Sequence, residues 1–229
     1  MKITMVQEGL IPFGADDVLK SLGMPPEHRF AEAISILLEK TKDIAKPKAF
    51  YLEYPIEKRT EKTVSFAGMH FHSDGLARNV KDTATIYPFL CTCGGELAAY
   101  AETLTDFAEV FAFDAIMDFY RKLMTFRVKE EIRKELPEGL VPRTDYPGSL
   151  WGWEVRDLKK LFALYGSAAD EIGVSLSEYY LMTPLKTLAG VAYGVPEEEK
   201  ECALCSAENC PRREVAYSHK ACLASLYRI

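Results

Sequence analysis

Residues 172–194 read Ile-Gly-Val-Ser-Leu-Ser-Glu-Tyr-Tyr-Leu-Met-Thr-Pro-Leu-Lys-Thr-Leu-Ala-Gly-Val-Ala-Tyr-Gly, and this stretch decides the fold class. Its β-branched and aromatic residues predict two strands on either side of a proline, at 177–182 and 187–194. Two charged residues, Glu178 and Lys186, stand within these apolar runs. Burying either charge costs several kcal/mol unless it is paired or bound to a ligand, which makes both candidate binding residues. The alternative is that both lie on the solvated face of alternating strands.

The rest of the chain alternates short strands and helices without a regular βαβ repeat. Further strands are predicted at 2–6, 48–56, 63–69 and 84–90, and helices at 16–22, 26–42, 73–80, 95–104, 106–135 and 153–172. Pro88 lies within one predicted strand and indicates an edge position or a bulge there. Pro137, Gly139 and Pro142 predict an irregular segment. The pattern favours an α+β domain, with an antiparallel or mixed twisted sheet and helices packed on one side of it.

Length and composition restrict the class of protein. A chain of 229 residues that is 48% apolar fits one large domain, which we assign to residues 1–195, followed by a cysteine-rich tail at 196–229. The net charge is −6 and no basic stripe is present, which argues against nucleic acid. No apolar run approaches the ~20 residues of a membrane helix, and no export signal is visible. We therefore expect a soluble cytoplasmic protein whose six cysteines are reduced thiols or metal ligands.

A second candidate segment runs from Arg143 through Pro147-Gly148 to two tryptophans, Trp151 and Trp153. Pro-Gly predicts a turn, and the tryptophans predict a compact aromatic wall. An arginine that leads into a glycine-containing loop suits a small anionic ligand, because the guanidinium and backbone amides both reach a carboxylate. The alternative is a loop whose tryptophans only pack against the next helix.

Taken together, the order of these motifs resembles the activation domain of cobalamin-dependent methionine synthase. The order is an arginine and Pro-Gly loop, an aromatic residue, an amphipathic helix, Ile-Gly-Val-Ser-Leu-Ser-Glu at 172–178 and Met-x-Pro-x-Lys-Thr at 182–187. Upstream, 17–23, 89–97 and 113–117 are similar to the family's opening helix, its Thr-x-Gly turn and its Leu-Asp-Ala helix. The resemblance covers roughly residues 15–195.

The resemblance implies a function. Domains of this family bind S-adenosylmethionine (AdoMet) and present its methyl group to the cobalt of a corrinoid held by another domain. One electron from a reductase and the methyl group restore the active cofactor. A free-standing copy would act in trans on a corrinoid-binding protein or on a methionine synthase that lacks its own activation domain. An alternative function is a scaffold that docks a corrinoid protein without binding AdoMet.

The resemblance also assigns site residues. Arg143 stands where the family has the arginine that opens its ligand loop, Pro147 and Gly148 match its Pro-Gly, and Glu178 matches its Thr-Glu-Ser glutamate. Lys186 lies in the matching Met-x-Pro-x-Lys-Thr motif. The family's Arg-x-x-Pro-Gly-Tyr reads here as Arg-x-x-x-Pro-Gly-Ser, with one residue inserted. Trp151 is then the candidate for the aromatic surface that the family's tyrosine supplies.

The tail carries a third candidate site. Cys202-x2-Cys205-x4-Cys210 is followed by Cys222, and four thiolates suit zinc or an iron–sulfur cluster. His219 is an alternative fourth ligand, and a set of free thiols is the alternative to any metal. A metal protein that acts through this tail is the third function considered.

Three other features are assigned no site. Cys91-Thr-Cys93 and His70-Phe-His72 each put two metal-binding side chains on one face of a strand, where packing or solvation is the more common role. Asp114 is expected to pair with a neighbouring cation, Arg121 or Lys122.

Overall fold

The structure is a computed structural model that describes residues 3–6, 12–148 and 152–196. Its strands are β1 (Ile3–Val6), β2 (Lys48–Leu52), β3 (Tyr54–Arg59), β4 (Thr63–Phe66), β5 (Met69–His72), β6 (Thr85–Thr92), β7 (Leu140–Asp145), β8 (Ser175–Leu176), β9 (Met182–Thr183) and β10 (Thr187–Pro196). Its helices are α1 (Ala15–Ser21), α2 (Ala31–Thr41), α3 (Asp74–Asn79), α4 (Gly95–Ala101), α5 (Phe107–Glu135), α6 (Leu158–Tyr165) and α7 (Ser167–Glu171), with a 3₁₀ turn at Val155–Asp157.

Local sequence sets several of these boundaries as predicted. The Ser73 side chain caps α3 by accepting a hydrogen bond from the Leu76 amide at 3.1 Å. Asp106 caps α5 in the same way, through the amides of Ala108 and Glu109. Gly23 follows α1 with a φ of +73°, which is the left-handed position that glycine tolerates best.

Strand β6 is the centre of the main sheet. One edge of β6 pairs with β10, and β10 pairs with β7 on its other side. The second edge of β6 pairs with β2 and then with β3. Strand β1 extends the sheet beyond β2, and β4 and β5 continue it beyond β3. Every pairing in the described residues is antiparallel, including the small β8–β9 hairpin, so the predicted α+β class is confirmed in its antiparallel form.

Helices cover both faces of this sheet, whereas the sequence predicted helices on one side. On one face, α3, α6 and α7 pack over Phe50, Leu90 and Val191. On the other face, α5 places Met124, Val128 and Ile132 against the opposite side chains of the same strands. A third cluster joins α1, α2 and α4 to the N-terminal half of α5. The one-sided arrangement is wrong because β6 is buried along almost its whole length. A strand covered on one side only would instead alternate between buried and exposed residues.

Several element predictions were wrong for local reasons. Residues 177–181 of the predicted strand 177–182 instead form a turn between the short strands β8 and β9, with Tyr180 at a φ of +63°. Residues 140–145 form strand β7 despite Pro142. Proline is tolerated there because β7 is an edge strand that pairs with β10 alone among the described residues. Helix 153–172 is divided at Gly166, whose φ is +54°.

Pro88 lies in a central strand and not at an edge. Along the edge of β6 that faces away from β10, Phe89 pairs with Tyr51 of β2, whereas Ile86 pairs with Tyr54 of β3. Pro88 therefore sits where the pairing partner of β6 changes. A missing amide is tolerated at such a break in the ladder.

Membrane-spanning helices and clusters of metal-binding side chains were also considered in the sequence. Over residues 3–6, 12–148 and 152–196, no helix is long and apolar enough to cross a membrane. The same part of the chain holds no group of three or more histidine, cysteine or acidic side chains arranged for a metal. Cys202, Cys205, Cys210, Cys222 and His219 lie outside the described residues, as does the proposed tail beyond Pro196.

Candidate functional site

The candidate site is built on the last residues of β7. Alternation along this strand puts Val141, Arg143 and Asp145 on one face, and Val141 belongs to the core beneath α3 and α6. Arg143 is paired in register with Tyr193 of β10. The two charged side chains of β7 therefore point into the protein, where they are 4% and 5% exposed. Buried charges of this kind require specific partners or a ligand.

Asp145 is held by hydrogen bonds. The Tyr193 hydroxyl and the Asn79 amide each donate to Asp145 Oδ2 at 2.7 Å. These contacts join β7 to β10 and to the C-terminal end of α3, which fixes three elements around one carboxylate. Gly190 on β10 allows this close packing, because a Cβ added there would lie 2.5 Å from the Asp145 carbonyl oxygen.

Arg143 has no such partners. No hydrogen bond or ion pair joins its guanidinium to any residue that the structure describes, and its Nε is buried. The side chain instead lines a cavity of about 160 Å³, which lies between the start of β7, the C-terminal end of β10 and the turn that follows α3. The polar residues around this cavity are Arg78, Asn79, Lys81, Asp82, Thr83 and Arg143.

The wall of the cavity opposite Arg143 is held rigidly. The Arg59 guanidinium donates from one Nη to the carbonyl oxygens of both Val80 and Lys81. The Thr83 hydroxyl donates to the Gly194 carbonyl oxygen at 3.2 Å, which ties the turn to β10. These contacts fix the backbone from which Arg78 and Lys81 project, so the cavity is formed before any ligand arrives.

Pro147 and Gly148 form the predicted turn directly after β7. The Gly148 amide donates to the Trp153 carbonyl oxygen at 2.6 Å, and its φ is +84°. Trp153 is buried and donates from Nε1 to Asp157 at 2.9 Å, so this tryptophan packs the core as the simpler interpretation proposed. Trp151 lies outside the described residues.

Glu178 and Lys186 are placed away from Arg143. Glu178 is exposed on the turn between β8 and β9, as the alternative interpretation expected. Lys186 precedes β10 and forms an ion pair with Asp114 of α5 at 2.9 Å. The seven residues from Thr187 to Tyr193 span about 20 Å of extended strand, which separates Lys186 from the Arg143 cavity.

The partner predicted for Asp114 was wrong. Arg121 and Lys122 instead bind Asp118, at 2.8 Å and 2.6 Å, because they follow it by three and four residues on the same helix. Asp114 lies seven and eight residues before them, where a helix offers no direct contact. Lys186, which is remote in sequence, takes that role.

The fold of this chain matches that of a protein of known structure. No family profile matches this sequence, and neither does any curated protein. A solved structure does match, described as the crystal structure of the MetH reactivation domain bound to AdoHcy. The TM-score is 0.62 at 13% identity, over 86% of this chain and 79% of that chain.

The chain has the fold of the MetH reactivation domain. The resemblance seen in the motif order is therefore confirmed at the level of the fold, over 86% of the chain. Identity of 13% carries no information on individual side chains, so the roles of the site residues rest on the geometry above.

Sequence reasoning missed five residues of this site: Arg78, Asn79, Lys81, Asp145 and Tyr193. A period-two pattern, Val141-x-Arg143-x-Asp145, was present and would have placed the arginine and the aspartate on one buried face. No signal in the sequence links Arg78 and Lys81 to β7, because the contact joins segments more than 60 residues apart.

Proposed function

We propose that this protein binds AdoMet and serves in trans to reactivate a corrinoid methyltransferase. The observation that carries the proposal is the fold shared with a reactivation domain whose structure contains AdoHcy, the demethylated product of AdoMet. The order of the motifs along residues 15–195 supports the same assignment from the sequence alone.

Within this proposal, Arg143 anchors the carboxylate of AdoMet. Arg143 is 4% exposed, lines a cavity and has no side-chain partner among the described residues, so an anion arriving there gains charge-assisted hydrogen bonds without displacing protein contacts. Asp145 and Asn79 hold the surrounding elements in place. Pro147, Gly148 and Trp151 follow on the same segment and are proposed to flank the ligand.

Glu178 and Lys186 are proposed to contact a part of AdoMet other than its carboxylate. Lys186 is about 26% exposed and its ammonium is already bound to Asp114. A ligand that reached it from Arg143 would have to span the intervening length of β10. Substituting either residue would therefore weaken AdoMet binding only if a group of the ligand distant from its carboxylate lies there.

The reaction needs two partners. AdoMet supplies a methyl cation equivalent from its sulfonium, which keeps the bonding electron pair and becomes AdoHcy, and a separate donor supplies one electron to the corrinoid. The corrinoid belongs to the partner, either a corrinoid-binding protein or a methionine synthase without its own activation domain. This chain contributes binding and orientation of the methyl donor. A cytoplasmic location, where such partners occur, is part of the proposal.

Isothermal titration calorimetry in phosphate-free buffer tests ligand binding. We expect saturable binding of both AdoMet and AdoHcy. Arg143→Lys should weaken both by about tenfold or more, because lysine keeps the charge but loses the two-pronged geometry. Arg156→Lys, at an exposed arginine outside the cavity, is the matched control and should bind normally. No heat with either ligand at millimolar concentration would reject AdoMet binding.

Retained complex formation with a corrinoid protein, in a sample that binds no AdoMet, would instead favour the docking scaffold. The tail is proposed as a separate metal site at Cys202, Cys205, Cys210 and Cys222, holding zinc or an iron–sulfur cluster. Metal analysis and a visible spectrum of anaerobically purified protein test it. A colourless, metal-free sample would reject that assignment.

A further inference from the structure

The Arg143 cavity carries more positive charge than one carboxylate requires. Three cations, Arg78, Lys81 and Arg143, line it together with one carboxylate, Asp82. A ligand with a single negative charge would leave part of this charge uncompensated. A dianion would neutralise the net charge of these four side chains, of which Arg143 is the buried one and therefore the one that most requires a counter-charge.

We propose that this cavity is a binding site for a small multivalent oxyanion with the charge and shape of inorganic phosphate. Arg143 supplies the buried guanidinium at the base, and Arg78 and Lys81 supply two cations at the rim. The base is the stronger observation, because Arg143 is only 4% exposed and its Nε has no hydrogen-bond partner within residues 3–6, 12–148 and 152–196, so water or an anion has to satisfy it.

The architecture of the rim supports the same ligand. Arg59 fixes the carbonyl oxygens of the turn on which Lys81 sits, so these acceptors face Arg59 and not the cavity. Asn79 is committed to Asp145, and the Thr83 hydroxyl to Gly194. The Arg78 Nε donates to the Asp74 carbonyl oxygen at 3.3 Å, which restrains the side chain along α3. The uncommitted polar groups of the cavity are thus chiefly cationic donors, which is the chemistry that recognises phosphate and sulfate.

The size of the cavity is compatible with this ligand. Its volume of about 160 Å³ is roughly ten times the ~10–15 Å³ that a cavity needs, on the same measure, to hold one water. A tetrahedral oxyanion fits with accompanying waters, and a nucleotide does not fit inside the cavity as a whole. The ligand class is therefore a free oxyanion and not a larger phosphorylated molecule held within it.

One consequence rests on the proposed function. If AdoMet places its carboxylate on Arg143, then the oxyanion and AdoMet share that guanidinium and compete. Phosphate would then set the apparent affinity for AdoMet. The oxyanion site itself does not depend on AdoMet binding.

Titration calorimetry on the full chain, with sodium sulfate, phosphate and acetate at constant ionic strength, tests the site without AdoMet. We expect saturable binding of sulfate and phosphate, and acetate binding at least about tenfold weaker because it carries one charge. The double variant Arg78→Gln with Lys81→Gln should raise the Kd for sulfate by on the order of tenfold, since exposed cations each contribute modestly. Lys40→Gln with Arg156→Gln makes the same change in net charge away from the cavity and should leave the Kd unchanged.

Three results would overturn the proposal: no saturable sulfate binding, acetate binding as tightly as sulfate, or equal weakening by the control pair. A competition titration then separates the two proposals. Sulfate binding together with no AdoMet binding keeps the oxyanion site and rejects the proposed function. AdoMet binding that sulfate does not weaken removes the shared use of Arg143.

Discussion

Arg143→Met is the most informative single change. If Arg143 serves to bind an anion, the change should raise the free energy of unfolding of the ligand-free protein, whereas if Arg143 stabilises the fold, the change should lower it. Arg143 is 4% exposed, and in the part of the chain that the structure describes its Nε has no hydrogen-bond partner. An unsatisfied buried donor costs about 1–3 kcal/mol, and more when it is charged. Methionine keeps most of the aliphatic stem and removes the charge. Some water in the cavity reduces the native cost, so we expect the free energy of unfolding of the ligand-free protein to rise by about 1 kcal/mol.

The assay is urea denaturation followed by tryptophan fluorescence, in a low-salt buffer free of multivalent anions. For a chain of this size the gain corresponds to about 2–4 °C in Tm. Arg59→Met is the matched control of opposite sign, since Arg59 donates to two carbonyl oxygens, and it should lose about 1 kcal/mol. Stabilisation of the native protein by sulfate should disappear in Arg143→Met. A loss of more than about 1 kcal/mol in Arg143→Met would refute the reasoning, because it would mean that the guanidinium stabilises the ligand-free fold.

Four further predictions concern the framework. Gly190→Ala should destabilise the protein by at least about 2 kcal/mol in the same denaturation assay, because its Cβ would lie 2.5 Å from the Asp145 carbonyl oxygen; unchanged stability would show that β7 is not seated as described. Tyr165→Phe should lose about 1–2 kcal/mol, since the buried hydroxyl donates to the Phe89 carbonyl oxygen at 2.6 Å. Burial raises the pKa of the Cys91 and Cys93 thiols to about 11, so at pH 8 a thiol reagent should modify at most the four tail cysteines of the native protein and all six after denaturation. Lys186→Met should change stability by less than about 1 kcal/mol, because its ion pair with Asp114 is largely solvated; a larger loss by denaturation would contradict that estimate.

The sequence predicted the helix boundaries that depend on neighbouring residues. The caps at Ser73 and Asp106 and the glycine after α1 depend on residues within one or two turns, so they are readable without the fold. The order of the motifs also predicted the fold, which the structural comparison confirmed. The errors fell where the chain is not locally consistent, as in the turn at 177–181 and the proline-containing β7.

The candidate site divides in the same way. The sequence alone determined that Arg143 is a candidate anion-binding residue and that a Pro-Gly turn follows it. Only the tertiary structure decided that Arg143 is buried with no partner for its Nε among the described residues, and that Asp145 is held by Tyr193 and Asn79. It also decided that about 20 Å of β10 separates Lys186 from the Arg143 cavity. The physical reason is that residue types fix which charges exist, whereas the pairing of distant strands fixes which charges meet. Arg78 and Lys81 face Arg143 because β6, β10 and β7 are neighbours in the sheet, a relation that no local pattern in the chain encodes.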